Sequence, residues 1–134
     1  MIDKYMDVAL LEAKKAYKKN EIPVGAVIVK DGSIIAKAHN SIEKTNSILN
    51  HAEIIAIKKA MKHENNWRLN DCVMYVTLKP CKMCLGAIIE SRIKKVYYAA
   101  EVLSKKSVPP LECCLSKKEE STKILQNFFL NKRK

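Results

Sequence analysis

The sequence predicts an α/β fold: a three-layer α/β/α sandwich on a mixed sheet, in one domain spanning residues 1–134. Three observations predict it. Two β-rich runs flank Asp31-Gly32, a two-residue pair suited to a tight hairpin because both positions accept positive φ. A second pair of runs, Val73–Leu78 and Lys95–Ala100, brackets a helical stretch, and strand–helix–strand in close succession implies a parallel pair. Amphipathic segments before, between and after these runs supply the two outer layers.

In order along the chain, Met6, Ala9, Leu10, Ala13, Ala16 and Tyr17 recur at helical spacing and predict a helix over Asp3–Lys19, with Asp3 as its N-cap. Lys4, Glu12, Lys14, Lys15 and Lys18 form its solvent face. Asn20-Glu21 ends it. Pro23–Val29 reads as a buried strand, and Ser33–Ala38 as its hairpin return. The chain has only three glycines, so Gly25 inside a strand implies close backbone approach. Asn40–Asn50 is polar and aperiodic, which predicts a loop. His51–His63 has a wide apolar face of Ile54, Ile55, Ile57, Ala60 and Met61 and predicts a helix. Residues 67–71 connect it to Val73–Leu78, which Lys79-Pro80 terminates. Cys81–Ser91 predicts a further helix and Lys95–Ala100 a strand. Glu101–Pro110 reads as a loop, Leu111–Leu115 as a short edge strand, and Lys118–Leu130 as a last helix with Ile124, Leu125, Phe128 and Phe129 on its apolar side. Asn131-Lys132-Arg133-Lys134 is a basic tail.

A chain of 134 residues, 48% of them hydrophobic, has the size and composition of one globular domain and can bury a core without staples. Its 25 Lys and Arg against 14 Asp and Glu give a formal charge of +11, suited to a polyanion such as nucleic acid. A solvated lysine-rich surface would give the same balance. No apolar run is long enough to span a bilayer, and the first residues lack a secretory pattern, so the expectation is a cytoplasmic protein with no membrane partner. In that compartment its five cysteines point to metal binding rather than disulfides. Cys72, Cys113 and Cys114 read as small buried apolar side chains.

Two stretches carry chemistry: Asn50-His51-Ala52-Glu53 and Lys79-Pro80-Cys81-Lys82-Met83-Cys84. His51, Cys81 and Cys84 supply one imidazole and two thiolates, which neutralise Zn2+ and leave its fourth position open, the mark of a catalytic zinc. Cys81 and Cys84 fall on one helical face, and a helix N-terminus is expected to lower their thiol pKa. Glu53 stands where it could reach a metal-activated water without ligating the ion, and so serve as the proton shuttle. Alone, Cys-x-x-Cys also suits redox or structural zinc, and His-x-Glu suits a capping histidine beside a surface glutamate. In this order, with Pro80 before the first cysteine, they resemble the His-x-Glu … Pro-Cys-x-x-Cys signature of zinc-dependent nucleobase deaminases. His39 and His63 have no such partners in the sequence.

The similarity widens beyond that signature. Ile22-Pro23-Val24-Gly25-Ala26, Ala38-His39-Asn40, Trp67-Arg68-Leu69, Tyr75-Val76-Thr77-Leu78, Gly86-Ala87 and Ser91-Arg92-Ile93 resemble the bacterial tRNA adenosine deaminases of the cytidine/deoxycytidylate deaminase superfamily. That resemblance implies a cytidine deaminase-like fold and conversion of adenosine to inosine at the wobble position of a tRNA anticodon. It implies one Zn2+ per subunit on His51, Cys81 and Cys84, Glu53 as proton shuttle, and Asn40 bonding the target base. It further implies that the Ala52 N–H faces the base, that Ile22 and Val24 form part of an apolar wall, and that the enzyme is a homodimer binding the anticodon stem-loop. Phe128-Phe129 followed by Lys132-Arg133 resembles the family's last helix, and the basic tail Lys132, Arg133 and Lys134 suggests RNA contacts there. The sequence departs from the family at Lys79, where Glu is usual, and after Ala100, where a Gly-Ala-x-Asp-x-Lys-x-Gly stretch is replaced and the following region is shorter. Two other readings stay open: a deaminase of a free base or nucleoside, such as cytosine or guanine, and a non-catalytic zinc or RNA-binding protein.

Overall fold

The structure is a computed structural model that describes residues 2–100, 112–115 and 119–132. Its elements run α1 (Ile2–Lys18), β1 (Gly25–Lys30), β2 (Ser33–His39), α2 (Ile42–Thr45), α3 (Ala52–Glu64), β3 (Cys72–Leu78), α4 (Lys82–Glu90), β4 (Lys95–Ala100), β5 (Glu112–Leu115) and α5 (Glu119–Lys132). The strands form one sheet in the order β2-β1-β3-β4-β5. β1 runs antiparallel to β2 and β3, whereas β3, β4 and β5 are parallel, so the sheet is mixed as the hairpin and the strand–helix–strand unit required. The hairpin turns through Asp31 and Gly32, at φ 50 and 78, and sets Lys30 opposite Ser33.

Strand alternation divides the side chains between two cores. Ala26, Ile28, Met74 and Val76 face Ala52, Ala56, Ile57 and Ala60 of α3 and Ile88 of α4. Val27, Val29 and Tyr75 face Tyr5, Met6 and Ala9 of α1. Helices thus cover both sheet faces, α3 and α4 on one and α1 with α5 on the other, giving the three-layer sandwich. Burial on both faces is why the strands read as nearly continuous apolar runs. Gly25 is where α1 comes closest: a Cβ there would lie 1.9 Å from the Ala9 carbonyl oxygen and 2.6 Å from the Ala13 nitrogen. The close approach that this glycine implied is the approach of a helix backbone.

The structure corrects several boundaries. α1 begins at Ile2, so Asp3 lies inside the helix rather than at its N-cap position. β1 begins at Gly25 rather than Pro23, because Pro23 has no N–H to give the sheet and the Val24 N–H turns back to the Ile22 carbonyl at 2.8 Å. The stretch 40–50 contains the short helix α2. Its N-cap Ser41 makes no side-chain hydrogen bond. Instead the buried carboxylate of Glu21 accepts the N–H of Glu43 at 3.1 Å and of Lys44 at 2.9 Å. Asn50 closes the segment, its carbonyl accepting the Ser41 N–H at 3.0 Å and its side chain donating to Thr45 Oγ1 at 2.7 Å. Cys72 is buried as expected. Cys113 and Cys114 lie on β5, their side chains outside the described set. Among the described residues no helix is long and apolar enough to cross a membrane.

Candidate metal centre

His51 and Cys81 occupy equivalent places, the N-cap positions of α3 and α4, both with extended backbone. An N-cap residue usually spends its side chain on the helix's free N–H groups. Neither does so here, and their carbonyls instead accept the first helical bonds, from Ile55 at 3.1 Å and Leu85 at 2.8 Å. The imidazole and the thiol are therefore left to meet each other. Cys84, one turn into α4, completes the group.

His51 Nδ1 lies 3.4 Å from Cys84 Sγ and 3.8 Å from Cys81 Sγ, and all three ligand atoms fall within 4.8 Å of one another. A tetrahedral zinc with Zn–S about 2.3 Å and Zn–N about 2.0 Å would separate such atoms by about 3.5 Å, so the set fits the ion. His51, Cys81 and Cys84 could together coordinate one zinc ion. Among the described residues no other cluster of three His, Cys, Asp or Glu side chains has this spacing. Cys81 is exposed and Cys84 buried, so the site opens on the Cys81 side.

Burial tunes the groups. It lowers the His51 pKa, which favours the neutral imidazole a metal needs. The Cys84 thiol is pushed far up by burial and by the nearby Glu53 and Cys81, contrary to the expectation that the helix terminus would lower it. Desolvation is the largest of these causes, at a sulfur that water does not reach. Glu53, only 4% exposed, stands outside the ligand set beside Cys84. Burial pushes its carboxyl up to about 7, against the opposing effect of its own backbone N–H and Cys84.

Asn40 follows the last residue of β2 and is also 4% exposed. Its Oδ1 accepts the Ala52 N–H at 2.7 Å, so Asn40 supplies the cap that His51 does not. That bond engages the Ala52 N–H with Asn40 rather than with open space. It leaves the Asn40 side-chain NH2 without a hydrogen-bond partner among the described residues. Ile22 lines a cavity of about 400 Å³ together with Glu21, Ile42, Ile48 and Phe128, whereas Val24 is buried in the core. A separate cavity of about 410 Å³ on the α1 side, bordered by Leu11, Glu12 and Ile124, shares no residue with the zinc site. Lys132 ends α5 with its side chain outside the described set, and Arg133 and Lys134 lie outside the described residues. His39 bonds Glu12 and His63 bonds Glu64, and the C-cap of α3 is Asn65.

Glu21 is the residue the sequence did not reveal. It positions the chain leading to His51 from a place 22 positions before Glu43, and its only trace in the sequence is a carboxylate beside the strand-opening Ile22-Pro23.

Residues 1–100 match the family described as "Cytidine and deoxycytidylate deaminase zinc-binding region". A curated relative, the tRNA-specific adenosine deaminase of Aquifex aeolicus (strain VF5), is 52% identical over 96 residues, 72% of this chain. The match spans 64% of that relative, so the chain covers less than two thirds of its length. A solved structure from studies of A-to-I editing by tRNA:A34 deaminases is 34% identical, with a TM-score of 0.80 over 85% of this chain and 98% of that one. The guanine deaminase of Bacillus subtilis is 44% identical, with a TM-score of 0.70 over 74% of this chain and 64% of that one.

Proposed function

The chain belongs to the cytidine and deoxycytidylate deaminase zinc-binding family, and on that premise we propose that it hydrolyses adenosine to inosine at the wobble position of a tRNA anticodon. Adenosine and water give inosine and ammonia: a C–O bond forms at C6, and the C–N bond to the exocyclic amine breaks. Zinc, when bound by His51, Cys81 and Cys84, supplies a water acidic enough to react near neutral pH. Glu53 accepts a proton from the reacting water, delivers it to the ring nitrogen, and carries a second proton to the departing amine. A carboxyl held near 7 suits both directions of transfer at neutral pH. The single observation that carries this reading is Glu53 itself, a buried carboxyl beside the ligand set and not in it; a non-catalytic zinc site would have no use for it.

In this reading Asn40 donates its side-chain NH2 to the base edge, the Ala52 N–H holds the Asn40 amide in place through its bond to Oδ1, and Ile22 and Val24 supply apolar wall. Lys132, Arg133 and Lys134 contact the stem-loop backbone. The protein acts as a single deaminase domain, a homodimer, in the cytoplasm. The 52% identity to a tRNA-specific adenosine deaminase and the +11 charge support RNA as substrate.

A second reading, deamination of a free purine, draws on the 44% identity to a guanine deaminase. A deamination panel separates the two: an adenosine-bearing anticodon stem-loop against free adenine, adenosine, guanine, cytosine and cytidine. Turnover of the stem-loop alone is the expected result. Turnover of guanine without the stem-loop overturns the tRNA reading.

A further inference from the structure

We infer that Trp67, Arg68 and Arg92 form a second RNA-binding surface, one that grips phosphodiester backbone away from the zinc site. Trp67 is the chain's single tryptophan and is 46% exposed. Arg68 Cζ sits 4.4 Å and Arg92 Cζ 5.8 Å from the centre of its ring. The chain is overwhelmingly lysine-based, yet two of its three arginines stand at this one indole. An aromatic face holds a guanidinium flat, with its donors pointing outward in the fork that matches a phosphate.

Two further observations point outward. Lys14, Lys15 and Lys30 are paired with Glu120, Glu12 and Glu64, whereas neither guanidinium has an ion-pair or hydrogen-bond partner among the described residues. Arg92 also has φ +70, in the left-handed region, just after the C-cap Ser91 of α4. Glycine would occupy that position without strain, so the fold carries a cost there for the sake of a side chain.

Hydrogen bonds and buried neighbours tie the two loops together. The Leu69 N–H donates to the Ser91 carbonyl at 2.8 Å, joining the two loops, and the Arg68 N–H donates to Asn66 Oδ1 at 3.1 Å. Leu69 and Ile93, one residue beyond each arginine, are buried and anchor them. These loops precede β3 and β4, at the end of the sheet opposite Cys81. The seven residues of β3 put the two sites about 20 Å apart. A protein of charge +11 with two guanidinium groups over one aromatic ring favours a phosphate polymer over an acidic peptide.

The test is the affinity of the full chain for a labelled RNA hairpin with no loop adenosine, measured between about 50 and 200 mM salt. Each lost phosphate contact flattens log K against log salt by about 0.7 to 0.9, so R68Q/R92Q is expected to flatten it by about 1.4 to 1.8. The wild type then loses roughly tenfold more affinity across that range than the variant. R92G is expected to flatten the slope by about half that amount while raising Tm, because glycine relieves the left-handed strain. It also gives a folded variant should the double one fail. Equal slopes in wild type and both variants overturn the inference. So does equal competition by polyglutamate, which indicates an acidic protein partner, or a smaller oligomer for R68Q/R92Q, which indicates a contact between copies. If the tRNA reading fails, the stem-loop is not deaminated while the slope difference persists. If this inference fails, the slope difference vanishes while stem-loop deamination remains.

Discussion

Asn40 Oδ1 accepts the Ala52 N–H at 2.7 Å, so one amide group both starts the helix that carries Glu53 and keeps its NH2 without a hydrogen-bond partner among the described residues. The two duties can be separated. Asn40→Asp keeps an oxygen for the cap, at a helix end that favours negative charge, and loses the NH2. It should hold zinc and stability near wild type yet lower kcat/KM by about 1–3 kcal/mol of transition-state binding. Asn40→Ala should lose the cap as well, about 1 kcal/mol of stability. Parallel measurements of Tm and kcat/KM decide, and wild-type kinetics in Asn40→Asp would remove Asn40 from base recognition.

Glu53→Gln keeps the shape of a side chain that is not a zinc ligand. Elemental analysis should still find one zinc per chain, while turnover falls by about two to four orders of magnitude. Loss of the metal in this variant would make Glu53 a ligand instead of a shuttle.

Zinc uptake should release protons. The Cys84 thiol, pushed up by burial, gives up its proton only when the ion arrives, so affinity falls as pH falls. Calorimetry in buffers of different ionisation enthalpy reads that proton count. Chelation should lower Tm, and Cys84→Ala should abolish stoichiometric zinc. Zinc retained at full occupancy in Cys84→Ala would contradict the ligand assignment.

Burial works to raise the Glu12 carboxyl, but its hydrogen bonds and charge pairing with Lys15 and His39 outweigh that and hold it below its ordinary value. The unfolded chain therefore binds this proton more readily than the folded one. The resulting stability is complete above the ordinary carboxylate pKa and is lost as pH falls through the lowered, folded-state value. Glu12→Gln should cost about 1–2 kcal/mol at pH 7, and the difference should shrink in that acid range. Urea denaturation across pH would show it, and a gap that widens on acidification would reverse the sign.

Gly25→Ala places a methyl 1.9 Å from a backbone oxygen that cannot step aside, and should cost about 3 kcal/mol. Gly86→Ala meets nothing within 4 Å inside α4 and should stabilise by roughly 0.5–1 kcal/mol. Denaturation midpoints of the two variants, which move in opposite directions, check both.

What was legible depended on sequence distance. His51 with Glu53, and Cys81 with Cys84, are set by spacing within one helical turn, and the structure needed only to bring the two pairs together. The hairpin at Asp31-Gly32 and the strand Lys95–Ala100 are likewise local, and they stand where the sequence put them. Glu21 capping α2 is a contact across 22 positions, and no local pattern announces it. The capping role of Asn40 is hidden for the same reason, its partner lying 12 positions on. The thiol misreading has a different cause: helix position is visible in a sequence, but the depth that governs Cys84 is not.

The carboxylate of Glu21 has a kinetic consequence. It holds the amides of Glu43 and Lys44 while Asn50 ties the far end of the same segment, two residues before Ala52. Those two amides exchange with solvent deuterium only when the carboxylate lets go, so their exchange rate counts how often the N-terminal turn of α2 opens. In Glu21→Gln the bonds lose their charge, and the two protons should exchange several-fold faster while those in the middle of β1 keep their pace. Mass spectrometry or NMR of those two amides would therefore measure how often this turn opens before any substrate is present.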